Sequence, residues 1–319
     1  MAQLIKLQDC VSRYADDLNR YPSQFIRLKR EQWLKAKKRL ADAGTEEGDG
    51  GGAAAESGKL SRFPRWAGWR QQRGALSDDE PEAEAASEES DEQFVPDFVY
   101  EPDTEAELKK MFADQLFYFQ LKWASSAMSE QSVVHSKYYR DTLLRELLRS
   151  LPDSYLMLYR PVLQLKNAPV ELDIVLIGPS FCCCVTAVED EEDAVFSGGT
   201  GRFWQKRSQF SEQRFLSPLI SLDRTEAVVS RILRQRGIEL PVRKVLLSRT
   251  GFFDITSPLY GVEVTDKRGA PEWFRKMSAM GGPFKRAQFQ AAEALLSTAV
   301  TVSYSVKEQQ DNHMESPDD

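Results

Sequence analysis

The residue best placed to do chemistry is Asp173, an acid inside the apolar run VELDIVLIG at 170–178. An ionised carboxylate buried without a partner is costly, so such an acid holds a cationic side chain or a metal ion. One reading puts Asp173 at a strand end, paired with an arginine such as Arg160. The other has it face a cation. More carboxylates follow at Glu189-Asp190-Glu191-Glu192-Asp193, Lys206 lies on the segment after them, and Asp141 and Glu146 lie upstream on a helical stretch. Only His135 and His313 occur, which nearly excludes histidine catalysis or a multi-histidine metal centre. Of the four cysteines, Cys182, Cys183 and Cys184 are consecutive and Cys10 is remote. Neighbours on a strand leave on opposite faces, so these thiols cannot share one metal cage and read as small buried apolar groups in a reducing compartment.

The second kind of chemistry is binding. The net charge of -7 argues against a general nucleic-acid binder, but the charge is segregated. The stretch QFIRLKREQWLKAKKRL bears Arg27, Lys29, Arg30, Lys35, Lys37, Lys38 and Arg39 against one acid, Glu31, with Phe25, Leu28 and Trp33 between them. Residues 59–73 add five basic residues and no acid, among them Arg62, Arg65 and Arg70, interleaved with Phe63, Trp66 and Trp69. Such groups neutralise phosphates and stack on unpaired bases. They serve equally on an anionic membrane surface, against another protein, or as a solvated face. Residues 78–92 carry nine acids and no base; this run cannot fold alone and could mask the basic segments or engage a partner.

The elements that must position these residues follow from periodicity. Residues 1–42 read as a basic helical pair, with Leu4, Leu7, Val11 and Leu18 on the first helix and Pro22 opening the second. Residues 43–103 read as a disordered linker, basic and aromatic and then acidic. A compact α/β domain is expected over 104–306: a helix from Thr104, a second over about 131–151, and three strands, YLMLYRPVLQL, VELDIVLIG and FCCCVTAV. The first two are joined by a hairpin-like connector at 166–169. A glycine loop at 198–201, a helix over 218–235, the strands PVRKVLLS and VEVTD and two short helices follow, then a disordered tail at 307–319. The central strands are nearly all apolar, as strands covered on both faces must be. The N-terminal stretch has no apolar core of signal-peptide length and no stretch is long enough to span a bilayer, which implies a cytoplasmic protein.

The order helix, strand, LDIVLIGP, apolar strand, glycine loop with Trp204, Ser217-Pro218-Leu219 opening a helix, then VRKVLLS resembles the nuclease-related domain family, a branch of the PD-(D/E)XK nuclease fold. The likeness runs from Lys137 to Ser248, about a third of the chain. It implies a restriction-endonuclease-like mixed sheet flanked by helices. It also implies an active site in which the strand acid and a Glu-x-Lys on the next strand hold magnesium or manganese against a phosphate. Asp173 matches the first acid, and Asp141 is the nearest match to a further acid on the preceding helix, with Glu146 second. Thr186 stands where the Glu is expected and Val188 where the Lys is expected, so both functional groups are missing. A rebuilt site would need Glu189 as second metal ligand beside Asp173 and Lys206 as the cation. Glu189 has the wrong strand parity unless a bulge intervenes. The resemblance therefore implies a degenerate nuclease relative that binds DNA or RNA without cutting and needs no cofactor. The rival readings are an active magnesium- or manganese-dependent nuclease using Asp173, Glu189, Lys206 and Asp141, and a scaffold protein with no nucleic-acid role.

Overall fold

The computed structural model describes residues 1–46, 94–98, 100, 102–127, 129–166, 168–208 and 211–305. Of the linker expected over 43–103, residues 47–93 lie outside them, as does the tail at 307–319, and 43–46 continue α2. Strand β1 spans Gln3–Leu7, followed by helices α1 (Arg13–Asp16), α2 (Tyr21–Glu46) and α3 (Glu105–Ala124). Next come β2 (Glu130–Gln131), α4 (Ser136–Tyr139), α5 (Thr142–Ser150), β3 (Leu156–Tyr159), β4 (Val162–Leu165), β5 (Ala168–Glu171), β6 (Ile174–Ile177) and β7 (Cys182–Ala187). A second sheet region holds β8 (Val195–Gly198), β9 (Phe203–Arg207) and β10 (Glu212–Leu216), followed by α6 (Pro218–Gln235) and β11 (Val242–Leu247). The remainder is β12 (Phe252–Ile255), β13 (Val262–Thr265), α7 (Ala270–Ala279), α8 (Arg286–Leu296) and β14 (Tyr304–Ser305).

The centre is a mixed six-stranded sheet in the order β1-β3-β6-β7-β11-β13. Its β3-β6-β7 part is antiparallel, whereas β1 joins β3, and β11 joins β7 and β13, in parallel. Helices cover both faces, so β3 and β6 are buried throughout, which accounts for their unbroken apolar sequences. Alternation sorts the cysteines as expected: Cys182 and Cys184 join the core beneath α6 and α8, and Cys183 joins the core beneath α5 and α7. A four-stranded sheet, β10-β9-β8-β12, stands apart from the central one. There Trp204 packs so tightly on Gly198 that a Cβ at 198 would lie 2.3 Å from its ring, and only glycine fits.

Local chemistry breaks several elements that periodicity joins. The stretch 155–165 is two strands, because Arg160 takes a left-handed backbone (φ 48) ahead of Pro161. The stretch 170–178 likewise divides into β5, which pairs with β4 as a hairpin, and β6 in the central sheet. The helix expected over 131–151 is α4 and α5, separated because Asp141 caps α5 by accepting from the Leu144 amide at 2.9 Å. The helical pair expected at the N-terminus is corrected more deeply. Leu4 and Leu7 lie on β1, an edge strand of the central sheet, and only α2 is a long helix. The aromatics of α2, Phe25 buried and Trp33 partly so, join it to α3, with Trp33 5.2 Å from Phe112 and Phe25 stacked on Phe119 at 6.4 Å. Residues 1–42 are thus built into the domain. Phe94, inside the expected linker, is also buried against Phe112 and Phe119.

A buried lysine closes this architecture. Lys6 on β1 is 1% exposed, and its ammonium donates to the carbonyls of Cys10 and Val300 and to Thr301 Oγ1. Burial pushes its pKa down to about 8, with Cys10 and Asp9 opposing the shift, against about 10.4 in an unfolded chain. Between those values the unfolded chain holds the additional proton, so the contribution of Lys6 to stability rises with pH across that window. Lys6→Met leaves buried acceptors without donors and should cost about 2–4 kcal/mol near neutral pH. Urea denaturation of both proteins checks this, and the gap between them should widen from pH 8 to pH 10.

Candidate functional site

Asp173 sits at the start of β6, where the register that pairs Ile174 with Val185 brings it beside Thr186 of β7. The Thr186 hydroxyl donates to Asp173 Oδ2 at 2.5 Å, and the Asp173 amide donates to Thr225 Oγ1 on α6 at 3.0 Å. Both threonines are buried. Among the described residues Asp173 has no ion pair. The guanidinium of Arg160, the arginine first expected beside it, lies over the Tyr159 ring at 5.8 Å. A neutral hydroxyl thus stands in the position where the resemblance calls for a second carboxylate.

Glu189 goes elsewhere. It follows β7 with the parity of Val185 and Ala187, which face the α5 side, whereas Thr186 faces α6. There Arg249, at the end of β11, donates to both Glu189 oxygens through Nε and Nη2. Its Nη1 donates to Glu146 Oε2 and to the Thr142 carbonyl at 3.2 Å, and its Nη2 to Thr142 Oγ1 at 3.1 Å. The Arg249 side chain is only 12% exposed. Burial alone would disfavour its charge, but the hydrogen bonds to Glu189 and Glu146 outweigh that and raise its pKa above the usual guanidinium value. One side chain therefore ties the ends of β7 and β11 to the first turns of α5.

Lys206 and Asp141 are also committed. Lys206 on β9 pairs with Asp190 at 2.5 Å, and its hydrogen bond holds that carboxyl below the usual carboxylate range. Asp141 Oδ2 accepts from the Tyr159 hydroxyl at 2.6 Å. Burial, followed by the Asp141 charge, pushes the Tyr159 phenol well above its ordinary value. The four residues that a rebuilt cleavage site would use are held by four different partners. A magnesium-type ion takes several oxygen ligands, carboxylates foremost. Around Asp173 the neighbouring donors are threonine hydroxyls, so the residues present do not fit such an ion. Among the described residues no group of three His, Cys, Asp or Glu side chains could hold a metal.

The five candidate binding residues of α2, Arg27, Lys29, Arg30, Lys37 and Lys38, divide into two sets. Lys29 pairs with Asp153 at 2.5 Å and Lys37 with Glu105 at 2.8 Å, so both serve packing. Arg30 and Lys38 are exposed without ion pairs among the described residues. Arg27 is 71% exposed and makes only a 3.8 Å contact with Glu31. These three recur at helical spacing and form one solvent-facing stripe. Arg62, Arg65, Trp66, Trp69 and Arg70 lie outside the described residues.

Arg249 and Thr225 escaped the sequence reading. Arg249 sits in an unremarkable Ser-Arg-Thr after a strand, and Thr225 is one polar residue on an amphipathic helix; neither carries a spacing signal. Arg249→Ala should leave Glu146 and Glu189 facing each other and cost about 2–4 kcal/mol, read by thermal or urea unfolding. Thr186→Val strips Asp173 of its hydroxyl donor and should cost about 1–3 kcal/mol in the same measurement.

No family model matches the chain, and no solved structure matches it at a significant level. Among curated proteins, the RNA 2',3'-cyclic phosphodiesterase of Geobacillus stearothermophilus is 43% identical over 70 residues. That similarity covers 21% of this chain and 21% of the relative, so the chain spans about a fifth of that protein's length.

Proposed function

We propose that this chain is a degenerate member of the nuclease-related domain group that binds nucleic acid without cleaving it. The observation that carries the reading is the pairing of Asp173 with the Thr186 hydroxyl, at the position where a cleaving relative needs a carboxylate and its metal. The Arg249 clamp supports it, because Glu189 would have to give up two guanidinium hydrogen bonds to serve a metal beside Asp173. The binding half of the reading rests on Arg27, Arg30 and Lys38, which present positive charge to solvent on one helix face. A likeness to an RNA 2',3'-cyclic phosphodiesterase over a fifth of each chain accords with a nucleic-acid setting, but transfers neither that protein's activity nor its residues. A cytoplasmic location fits the four unbonded, buried cysteines. It also fits the absence, among the described residues, of any helix long and apolar enough to cross a membrane.

The test has two arms. Incubating the purified chain with single- and double-stranded DNA and RNA, with magnesium or manganese, should give no cleavage. Cleavage that disappears in Asp173→Ala would return the chain to the active nucleases. Binding to the same substrates should weaken steeply with salt. Replacing Arg27, Arg30 and Lys38 together with glutamine should flatten the log–log salt slope by about 2–3, at roughly 0.7–0.9 per lost phosphate contact. If neither DNA nor RNA binds at low salt, the chain is a scaffold.

A further inference from the structure

On the outer side of α5 lies a groove of about 530 Å³ whose lining joins three arginines, Arg140, Arg145 and Arg149, to two tyrosines, Tyr118 and Tyr139. The tyrosine rings are stacked, with centroids 6.0 Å apart and planes within 21°, and Tyr118 is 46% exposed. The exposed part of this pair offers aromatic surface to another flat ring, beside the Arg145 guanidinium, which lies 5.5 Å from the Tyr118 ring centroid. Arg145 stiffens the platform: it donates to the Tyr118 hydroxyl at 3.3 Å and to the Tyr139 carbonyl at 3.1 Å.

The charge balance of the groove favours an anion. Glu146, the one acid in the lining, is already held by Arg249. Asp114 is shared between Arg145 at 3.6 Å and Arg149 at 3.3 Å, so one carboxylate serves two guanidinium groups. Arg140 is exposed and has no ion pair among the described residues. Three cations thus surround a flat aromatic step with one shared acid between them, an arrangement that suits alternating phosphates and bases. Bases inside a duplex are stacked on one another and cannot reach a protein ring, so the aromatic step selects unpaired nucleotides.

We infer that this groove is a binding site for single-stranded nucleic acid, in which a base extends the Tyr118–Tyr139 stack and neighbouring phosphates lie on Arg140 and Arg149. The inference rests on the nucleic-acid reading above and adds to it a place on α5, separate from the basic stripe of α2, and a preference for unpaired strands.

The test uses the full chain and a fluorescein-labelled oligothymidylate, followed by fluorescence anisotropy over a range of salt. Arg140→Gln with Arg149→Gln should weaken binding at least tenfold and flatten the salt slope by about 1.4, at roughly 0.7 per single-strand phosphate contact. Tyr118→Leu should weaken the oligothymidylate on the order of tenfold and leave duplex binding unchanged. A 5-iodouracil oligonucleotide, irradiated on the wild-type chain, reads the site without any substitution. Its crosslinks should map to peptides containing Tyr118 or Tyr139. The groove is wrong if the chain binds the oligonucleotide but the double variant keeps the wild-type slope and the crosslinks map elsewhere. If the wild-type chain binds no oligonucleotide at all, the nucleic-acid reading falls with it.

Discussion

Successive residues of β7 leave the sheet on opposite sides, and the chemistry of the whole molecule is divided by that alternation. Thr186 turns toward α6 and meets Asp173, whereas Glu189, three positions later, turns toward α5 and meets Arg249. Asp173 and Glu189 are thereby kept on opposite faces of the sheet. With both faces covered by helices, neither side chain can cross over without carrying a charge through an apolar core. The separation is a property of the backbone, and no change of rotamer undoes it.

What each side then does with its acid differs. On the α6 side the carboxylate accepts from one hydroxyl, that of Thr186, which satisfies a lone pair but brings no charge. On the α5 side a guanidinium takes two carboxylates and a threonine at once, the multi-pronged recognition for which arginine is suited and lysine is not. Both are closed arrangements, in which hydrogen-bonding capacity is spent on neighbouring protein atoms. Among the described residues, open positive charge lies instead at the surface, along α2, beside α5 and on the β9–β10 hairpin at Arg207 and Arg214. Catalysis asks for fixed charges converging on one point, and here the free cations are spread along surfaces.

Much of the fold was legible because burial writes itself into composition. The unbroken apolar run of β6 and the cysteine triplet of β7 announced strands covered on both faces, and Pro218 with Ser217 before it announced α6, where proline takes a first-turn position and the serine side chain caps. The parity of Glu189 was legible for the same reason, since alternation needs only counting. What failed was the N-terminal strand. Leu4, Leu7 and Val11 fit a helical spacing, and nothing local reveals that Gln3–Leu7 will pair with Leu156–Tyr159, about 150 residues away. The turns at Arg160 and Gln8 carry no local signal either: both adopt left-handed backbones without being glycine, a choice imposed by the strand ends they close. The partners of Asp173 and Glu189 come from α6 and from the end of β11, and side chains that meet only after folding leave no mark in a linear pattern.

The Lys6 clasp has a consequence for how the chain reaches this state. An ammonium on the first strand finds its acceptors at Val300 and Thr301, and the strand itself leans on β3. During synthesis β1 must wait for the middle of the chain to supply its neighbour and for residues 300–301 to supply its hydrogen bonds. Until then an apolar edge with unpaired amides stands open to any other strand. Contacts so far apart in sequence slow folding and lengthen that exposure. Once the loop is shut, fraying at either segment costs the Lys6 hydrogen bonds that the two share.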